Sequence, residues 1–360
     1  MGSAIMDTSI DVSGIPMDTS KPVLVTGANG YVASWVVKGL LDAGVSVHAA
    51  VRNPGDRNKV GHLLDIAKGA PGRLELFAAD LLDSGSYAAA MEGCSIVFHM
   101  ASPFVRDVSD PMRDLVEPAL EGTRNVLGTV CDVPDVRRVV LTSSVAAIYG
   151  DAVDVEQRPG GIITEEQWND TSSTDREPYS YSKTLAEREA WHMVQSQDRW
   201  KLVTINPALV IGPALNPHPT SDSFTIVRQM IGGTGRMGLP RIGVTVADVR
   251  DVAKAHIAAA YLPGASGRHI IAAEDTDTLA LAQSLRPRFG SSLPLPGRAL
   301  PKALVLAVAP MIGLSRAYVR RNVGHVIRAN AGKSRRELHI SYRPVQESME
   351  DMVEGLLRSR

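Results

Sequence analysis

The chain has 360 residues, with 38 Lys and Arg against 39 Asp and Glu and a formal net charge of −1. That balance gives no general electrostatic case for nucleic acid or an anionic bilayer. Two cysteines, Cys94 and Cys131, with no CxxC argue against a disulfide framework or a cysteine zinc site and fit a reducing, cytoplasmic compartment.

Residues 1–20 are short, polar and Ser/Asp-rich, without the basic start and apolar core of a secretory leader, and are expected to form a flexible tail. From Lys21 onward, short apolar runs alternate with helix-like segments. Strands are expected at 22–27, 46–52, 73–80, 95–102 and 137–144, with a sixth at 201–213. Helices are expected at 31–44, 116–132 and 246–261, a further strand at 268–274, and an amphipathic helix at the C-terminus. Strand–helix alternation with continuous apolar strands predicts an α/β fold, a Rossmann-like doubly wound parallel sheet. The expected dinucleotide-binding domain covers 21–206 with returning segments at 244–274. A smaller substrate-binding lobe is expected from 207–243 and 275–360, where Pro and Gly break the pattern. The longest apolar run, 303–314, contains Pro310, is too short to span a bilayer, and reads as a buried, broken helix. Its basic flank, SRAYVRR, leaves surface contact with a membrane as a minor reading.

The first strand runs into TGANGYVAS, giving Gly27-x-x-Gly30-x-x-Ala33 ahead of a helix. Glycines there let the backbone approach a pyrophosphate, and the helix N-terminus supplies N–H donors and the positive end of its dipole. Gly27, Asn29, Gly30, Tyr31 and Val32 are the candidate cofactor contacts of this turn. The second strand ends in Arg52 where an NAD site usually carries an acid, so NADPH is favoured over NADH, with Lys59 as a second cation for the 2′-phosphate. Asp80 and Leu81, ending the third strand, are placed at the adenine edge; an ordinary turn aspartate is the alternative for Asp80.

The sequence LTSS ends the fifth strand, and YSYSK follows at 179–183. Tyr179 and Lys183 are four apart, on one face of a helix, whereas Tyr181 points elsewhere. A strand-end hydroxyl, a phenol and an ammonium form an acid–base set suited to the alkoxide that develops when a carbonyl is reduced. Taken together, VTGANGYVASWVV, LTSS, YSYSKTLAE, TINPALVIGP and VADVRDVAKAH resemble the extended branch of the short-chain dehydrogenase/reductase superfamily, in its dihydroflavonol-reductase-like group. The GANGYVAS form is similar to that of the fungal NADPH-dependent carbonyl reductases.

The resemblance implies a role for each matching residue. Tyr179 would give its proton to the carbonyl oxygen. Lys183 would hold the nicotinamide ribose and lower the phenol's pKa, and Ser144, rather than Ser143, would hold the substrate oxygen. Asn125 would shape the site from its helix, although it could equally be a capped or solvated polar residue. Ala101, Ser102, Thr142 and Ser143 would line the ribose channel, and Pro207 and Val210 the carboxamide end. Phe104, Tyr149, Trp168 and Phe224 lie on loops where a substrate pocket would form, or serve only in packing.

These residues predict an NADPH-dependent reductase of an aldehyde, ketone or ketoester. The histidines show no metal-ligand spacing. The expected partner is a small-molecule carbonyl compound, without nucleic acid or stable membrane insertion, and the expected state is monomer or homodimer. A hydroxysteroid dehydrogenase, a nucleotide-sugar epimerase or dehydratase, and a non-catalytic NADP sensor are the alternatives. Arg52 speaks against the epimerase and the intact Ser–Tyr–Lys set against the sensor.

Overall fold

The computed structural model describes residues 8–103, 108–233 and 235–358. Seven strands form one parallel sheet in the order β3-β2-β1-β4-β5-β6-β9. They are β1 (Val23–Thr26), β2 (Val47–Val51), β3 (Leu74–Ala78), β4 (Ile96–His99), β5 (Arg138–Thr142), β6 (Lys201–Pro207) and β9 (Gly267–Ile271). The central strands are apolar at nearly every position because both faces are covered: β1 and β4 are buried throughout. On one face, helix Tyr31–Asp42 packs against helix Val249–Tyr261; on the other, Glu117–Asp132 packs against Pro178–Val194. Eleven of the thirteen residues of Val249–Tyr261 are buried, since this helix is enclosed on nearly all sides. The strand order reverses between β1 and β4, which opens a crevice at their carboxyl ends.

The expected sixth strand, 201–213, is two strands. At Ala208 the chain bends: its N–H still bonds Ile271, but β7 (Leu209–Ile211) leaves for a second sheet with β8 (Gly243–Asp248) and β10 (Glu274–Asp277). The helix expected from 246 begins only at Val249, because Val246–Asp248 end β8 and the Asp248 side chain caps the helix by accepting from Arg250 N–H. Around this small sheet a separate apolar cluster gathers Phe224, Val227, Leu281, Leu285, Met349 and Val353, from three helices after residue 207.

Two expectations are corrected by burial. Within the segment read as a flexible tail, Ile10, Val12, Ile15 and Met17 pack on the main core, and Ile10 lies over Gly39. Spaced apolar residues there find a surface between helices that the local composition does not reveal. The apolar run 303–314 is not a buried helix. Val305 and Ala309 are covered, but Leu304 is 48%, Met311 86% and Ile312 51% exposed. Among the described residues no helix is long and apolar enough to cross a membrane.

Candidate active site

The crevice is built first by the glycine turn. Gly27 has φ +61°, and a Cβ there would stand 2.9 Å from Ala101 Cα, so only glycine lets the loops after β1 and β4 meet. Thr26 ties the two loops from below: its Oγ1 accepts from Met100 N (3.0 Å) and Ala101 N (2.9 Å). With both lone pairs used, its own proton goes to His99 Nδ1, 3.2 Å away. Burial, with the Lys183 charge adding to it, pushes that imidazole down to about 3, consistent with its role as an acceptor. Helix Tyr31–Asp42 then begins with no side-chain cap on its first N–H groups. This open helix start, reached over a Cβ-free turn, fits a pyrophosphate. Asn29 and Val32 are half-buried along it. Tyr31, by contrast, turns inward: its hydroxyl donates to the Gly212 carbonyl at 2.7 Å and its ring stacks edge-on with Phe224.

Arg52 stands exposed at the end of β2, and among the described residues no acid pairs with it. Lys59 is exposed and 3.8 Å from Asp56. Asp80 accepts from Leu82 N–H at 3.0 Å, the turn-aspartate geometry, and Leu81 lies against Gly122.

The expected catalytic role of Asn125 is not supported by its position. Its amide donates to the Leu81 and Asp83 carbonyls (3.0 and 2.7 Å) and accepts from Gly85 N–H (3.1 Å). It braces the loop after β3, and backbone partners take up its amide.

At the end of β5, three successive hydroxyls diverge because side chains alternate along a strand. Thr142 bonds His256 Nε2 at 2.8 Å; the other ring nitrogen donates to the Val252 carbonyl, which fixes the neutral tautomer. Ser143 is buried and donates to Glu187 at 2.5 Å, and it lines a small cavity together with Ala101, Ser102 and Lys183. Ser144, the next residue, accepts from Ala146 N–H at 3.1 Å and meets the Tyr179 phenol.

Helix Pro178–Val194 carries Tyr179 and Lys183. It starts with Pro178 at its first position, preceded by Glu177 in the left-handed region (φ 53°), a conformation uncommon outside glycine that recurs at functional sites. Tyr179 is 51% exposed, its ring open to the crevice. Its pKa is nevertheless raised to about 12, first by burial and then by Asp222, while Ser144 opposes the shift. Lys183 donates to Ser102 at 2.9 Å, and its ammonium is 5.8 Å from the centre of the Tyr179 ring. Burial lowers its pKa to about 8. A cavity of about 20 Å3, lined by His99, Ser102, Thr142 and Lys183 among others, adjoins the ammonium.

Beneath the helix, Glu187 holds the floor. It accepts from Ser143, from Asn206 Nδ2 (2.8 Å) and from Arg268 (2.6 Å), and the Asn206 amide also reaches the Ser144 carbonyl at 3.1 Å. None of Glu187, Asn206, Arg268 or Asp222 was singled out from the sequence. Their partners are far away in the chain and leave no local spacing; only Asp222, beside a helix start, carried a signal.

The four expected substrate residues separate. Phe104 lies outside the described residues. Trp168 faces Arg268 (3.9 Å from guanidinium to ring centre) and Arg188 (5.1 Å), in the network below the crevice. Phe224 is 2% exposed within the second core. Tyr149 is half-buried against the cluster of Val145, Ile148 and Ala152, and burial, then Tyr318 and Glu177, raise its phenol's pKa. Pro207 is buried at the end of β6, and Val210 is half-buried in β7.

A parallel sheet with this switch-point crevice, and a phenol–ammonium pair beside it, belongs to the oxidoreductases that work with a nicotinamide dinucleotide. The model of the NAD dependent epimerase/dehydratase family matches residues 23–272. The chain is 43% identical over 252 residues to cinnamoyl-CoA reductase CAD2 of Medicago truncatula, covering 69% of this chain and 75% of that protein. It is 36% identical over 281 residues to an anthocyanidin reductase of Vitis vinifera, covering 75% and 81%. The structure of Gre2 in complex with NADPH from Candida albicans superposes with a TM-score of 0.77 at 27% identity, covering 94% of this chain and 99% of that one. The chain belongs to the epimerase/dehydratase family, the extended short-chain dehydrogenase/reductases, in the dihydroflavonol-reductase-like group.

Proposed function

We propose that this protein is an NADPH-dependent carbonyl reductase acting on an aldehyde, ketone or ketoester. The observation that carries the reading is the placement of Tyr179 and Lys183 one helical turn apart beside the carboxyl end of β5, with the ammonium 5.8 Å from the phenol ring and Ser144 acting on the phenol. When bound, NADPH supplies a hydride to the carbonyl carbon. Every other step falls to this chain. The Ser144 hydroxyl donates to the substrate oxygen and orients it. The Tyr179 phenol, protonated at neutral pH because its pKa is raised to about 12, gives up its proton as charge develops on that oxygen. Lys183, which donates to Ser102 here, would hold the ribose hydroxyls of the cofactor and offer its charge to the phenolate left behind.

Gly27, Gly30 and the uncapped helix start hold the pyrophosphate, and Arg52, without an acid beside it, takes the 2′-phosphate. The named relatives are reductases of small molecules, one of them of an acyl-CoA, which supports a reductase reading, and the NADPH complex of Gre2 supports the cofactor.

The test is NADPH oxidation by the purified protein on aldehydes, aryl ketones, β-ketoesters, a dihydroflavonol and an aryl acyl-CoA thioester, with Tyr179→Phe alongside. Turnover that falls about 10²–10⁴-fold in the variant, with NADPH still bound, supports the assignment. Turnover that survives the substitution removes Tyr179 as the acid.

A further inference from the structure

The overall charge balance hides a local asymmetry. Between Asp277 and Glu337 there is no Asp or Glu, while eleven Lys and Arg fall in that stretch. Its middle folds as a hairpin of two short helices, Lys302–Val308 and Arg316–Asn322, joined through a turn at Ala309–Ile312. The inner side is fixed to the protein: Val305, Ala309, Val319 and Val323 form a buried cluster, and Arg321 pairs with Asp151 and Asp154. The outer side carries no acid. From Ala303 to Arg320 every exposed residue is apolar, glycine, serine or arginine: Leu304, Pro310, Met311 and Ile312 stand out with Arg316 and Arg320, and alanines lie between. Met311 at the tip is 86% exposed. Met237, 76% exposed, flanks the patch on a loop whose carbonyl accepts from Arg298 and whose Leu239 bridges to Ala299.

We propose that this hairpin docks the protein on an anionic lipid surface, with Met311 and Ile312 entering the headgroup boundary and Arg316 and Arg320 meeting lipid phosphates. Exposed apolar side chains on a rigid tip lose water contact in that boundary, and flanking guanidinia find charge partners there without leaving water. A second copy of the chain fits less well. A two-fold contact would set this acid-free face against itself, arginine against arginine. The same hairpin carries Tyr318, whose phenol acts on that of Tyr149 and is itself acted on by Glu177, two residues before Tyr179.

The experiment is co-sedimentation of the full chain with vesicles of phosphatidylcholine alone and of an equimolar phosphatidylcholine–phosphatidylglycerol mixture, at low and high salt. Binding to the mixed vesicles, weakened by salt, is expected. Removing both charges in Arg316→Ala/Arg320→Ala should cut partitioning about twenty-five-fold, at roughly fivefold per arginine. Met311→Ser/Ile312→Ser should weaken it as well, and Lys68→Ala on a distant helix should not. Melting curves confirm that the variants fold. No binding to the mixed vesicles, or equal binding by the hairpin variants, overturns the proposal. So does a concentration-dependent dimer that Met311→Ser/Ile312→Ser abolishes, since the occupant would then be a second copy.

Discussion

The Glu187 carboxylate meets the Arg268 guanidinium at 2.6 Å, with neither side chain more than 7% exposed. Both are further tied: Glu187 to Ser143 and Asn206, Arg268 to the backbone carbonyls of Glu165 and Gln167. Removing one partner strands a buried charge. Glu187→Ala should therefore destabilise the fold by about 3–5 kcal/mol, read from denaturant unfolding. It should also lower kcat, because Asn206 would lose one of the two bonds that set its hold on the Ser144 carbonyl. A loss below about 1 kcal/mol would show that the pair is not the anchor of the floor.

Arg52→Asp should separate the two cofactors. A lost charge-assisted contact plus repulsion costs NADPH binding about 2–4 kcal/mol, whereas NADH, without the 2′-phosphate, should bind as well or better. Titration of cofactor binding with the purified variant measures this. Equal losses for both would place the 2′-phosphate elsewhere.

Asp222, in the first turn of helix Asp222–Ile231, raises the pKa of Tyr179. In Asp222→Asn the phenol should ionise at lower pH. Reduction needs the protonated phenol, so its alkaline limb should move to lower pH. Alcohol oxidation needs the phenolate, so its rising limb should move the same way. The pH–rate profiles in both directions report this, and an unmoved limb would mean that Asp222 does not act on the proton donor.

His99 and His256 are buried, and burial holds their pKa values at about 3 and about 4, below the ordinary 6.5. The folded state keeps them neutral, so the unfolded chain takes up protons first as pH falls. Their contribution to stability is complete above about pH 6.5 and is lost toward pH 4, with a limiting slope of about 2.7 kcal/mol per pH unit for two protons. Denaturant unfolding from pH 8 to 4.5 should show the decline beginning near 6.5. A decline that starts only in the carboxylate range would overturn this account.

Most of the sheet was legible in the chain because its signals are local. Apolar runs mark buried strands, and Gly27 and Gly30 fall between β1 and its helix. Tyr179 and Lys183 share a helical face through four-residue spacing alone, and Arg52 is readable as the residue that ends β2. What the tertiary structure decided depends on neighbours distant in sequence. Ser143 and Ser144 are adjacent and chemically alike, but strand alternation turns the hydroxyl of one to Glu187 and leaves the other to act on Tyr179. Asn125, Trp168 and Phe224 have residue types suited to a site, yet their partners, the loop after β3, Arg268 and Tyr31, claim them for support. The apolar run at 303–314 shows the same limit from the other side. Sequence reports that residues are apolar, but burial requires a covering surface, and the fold supplies one for Val305 and Ala309 and none for Met311.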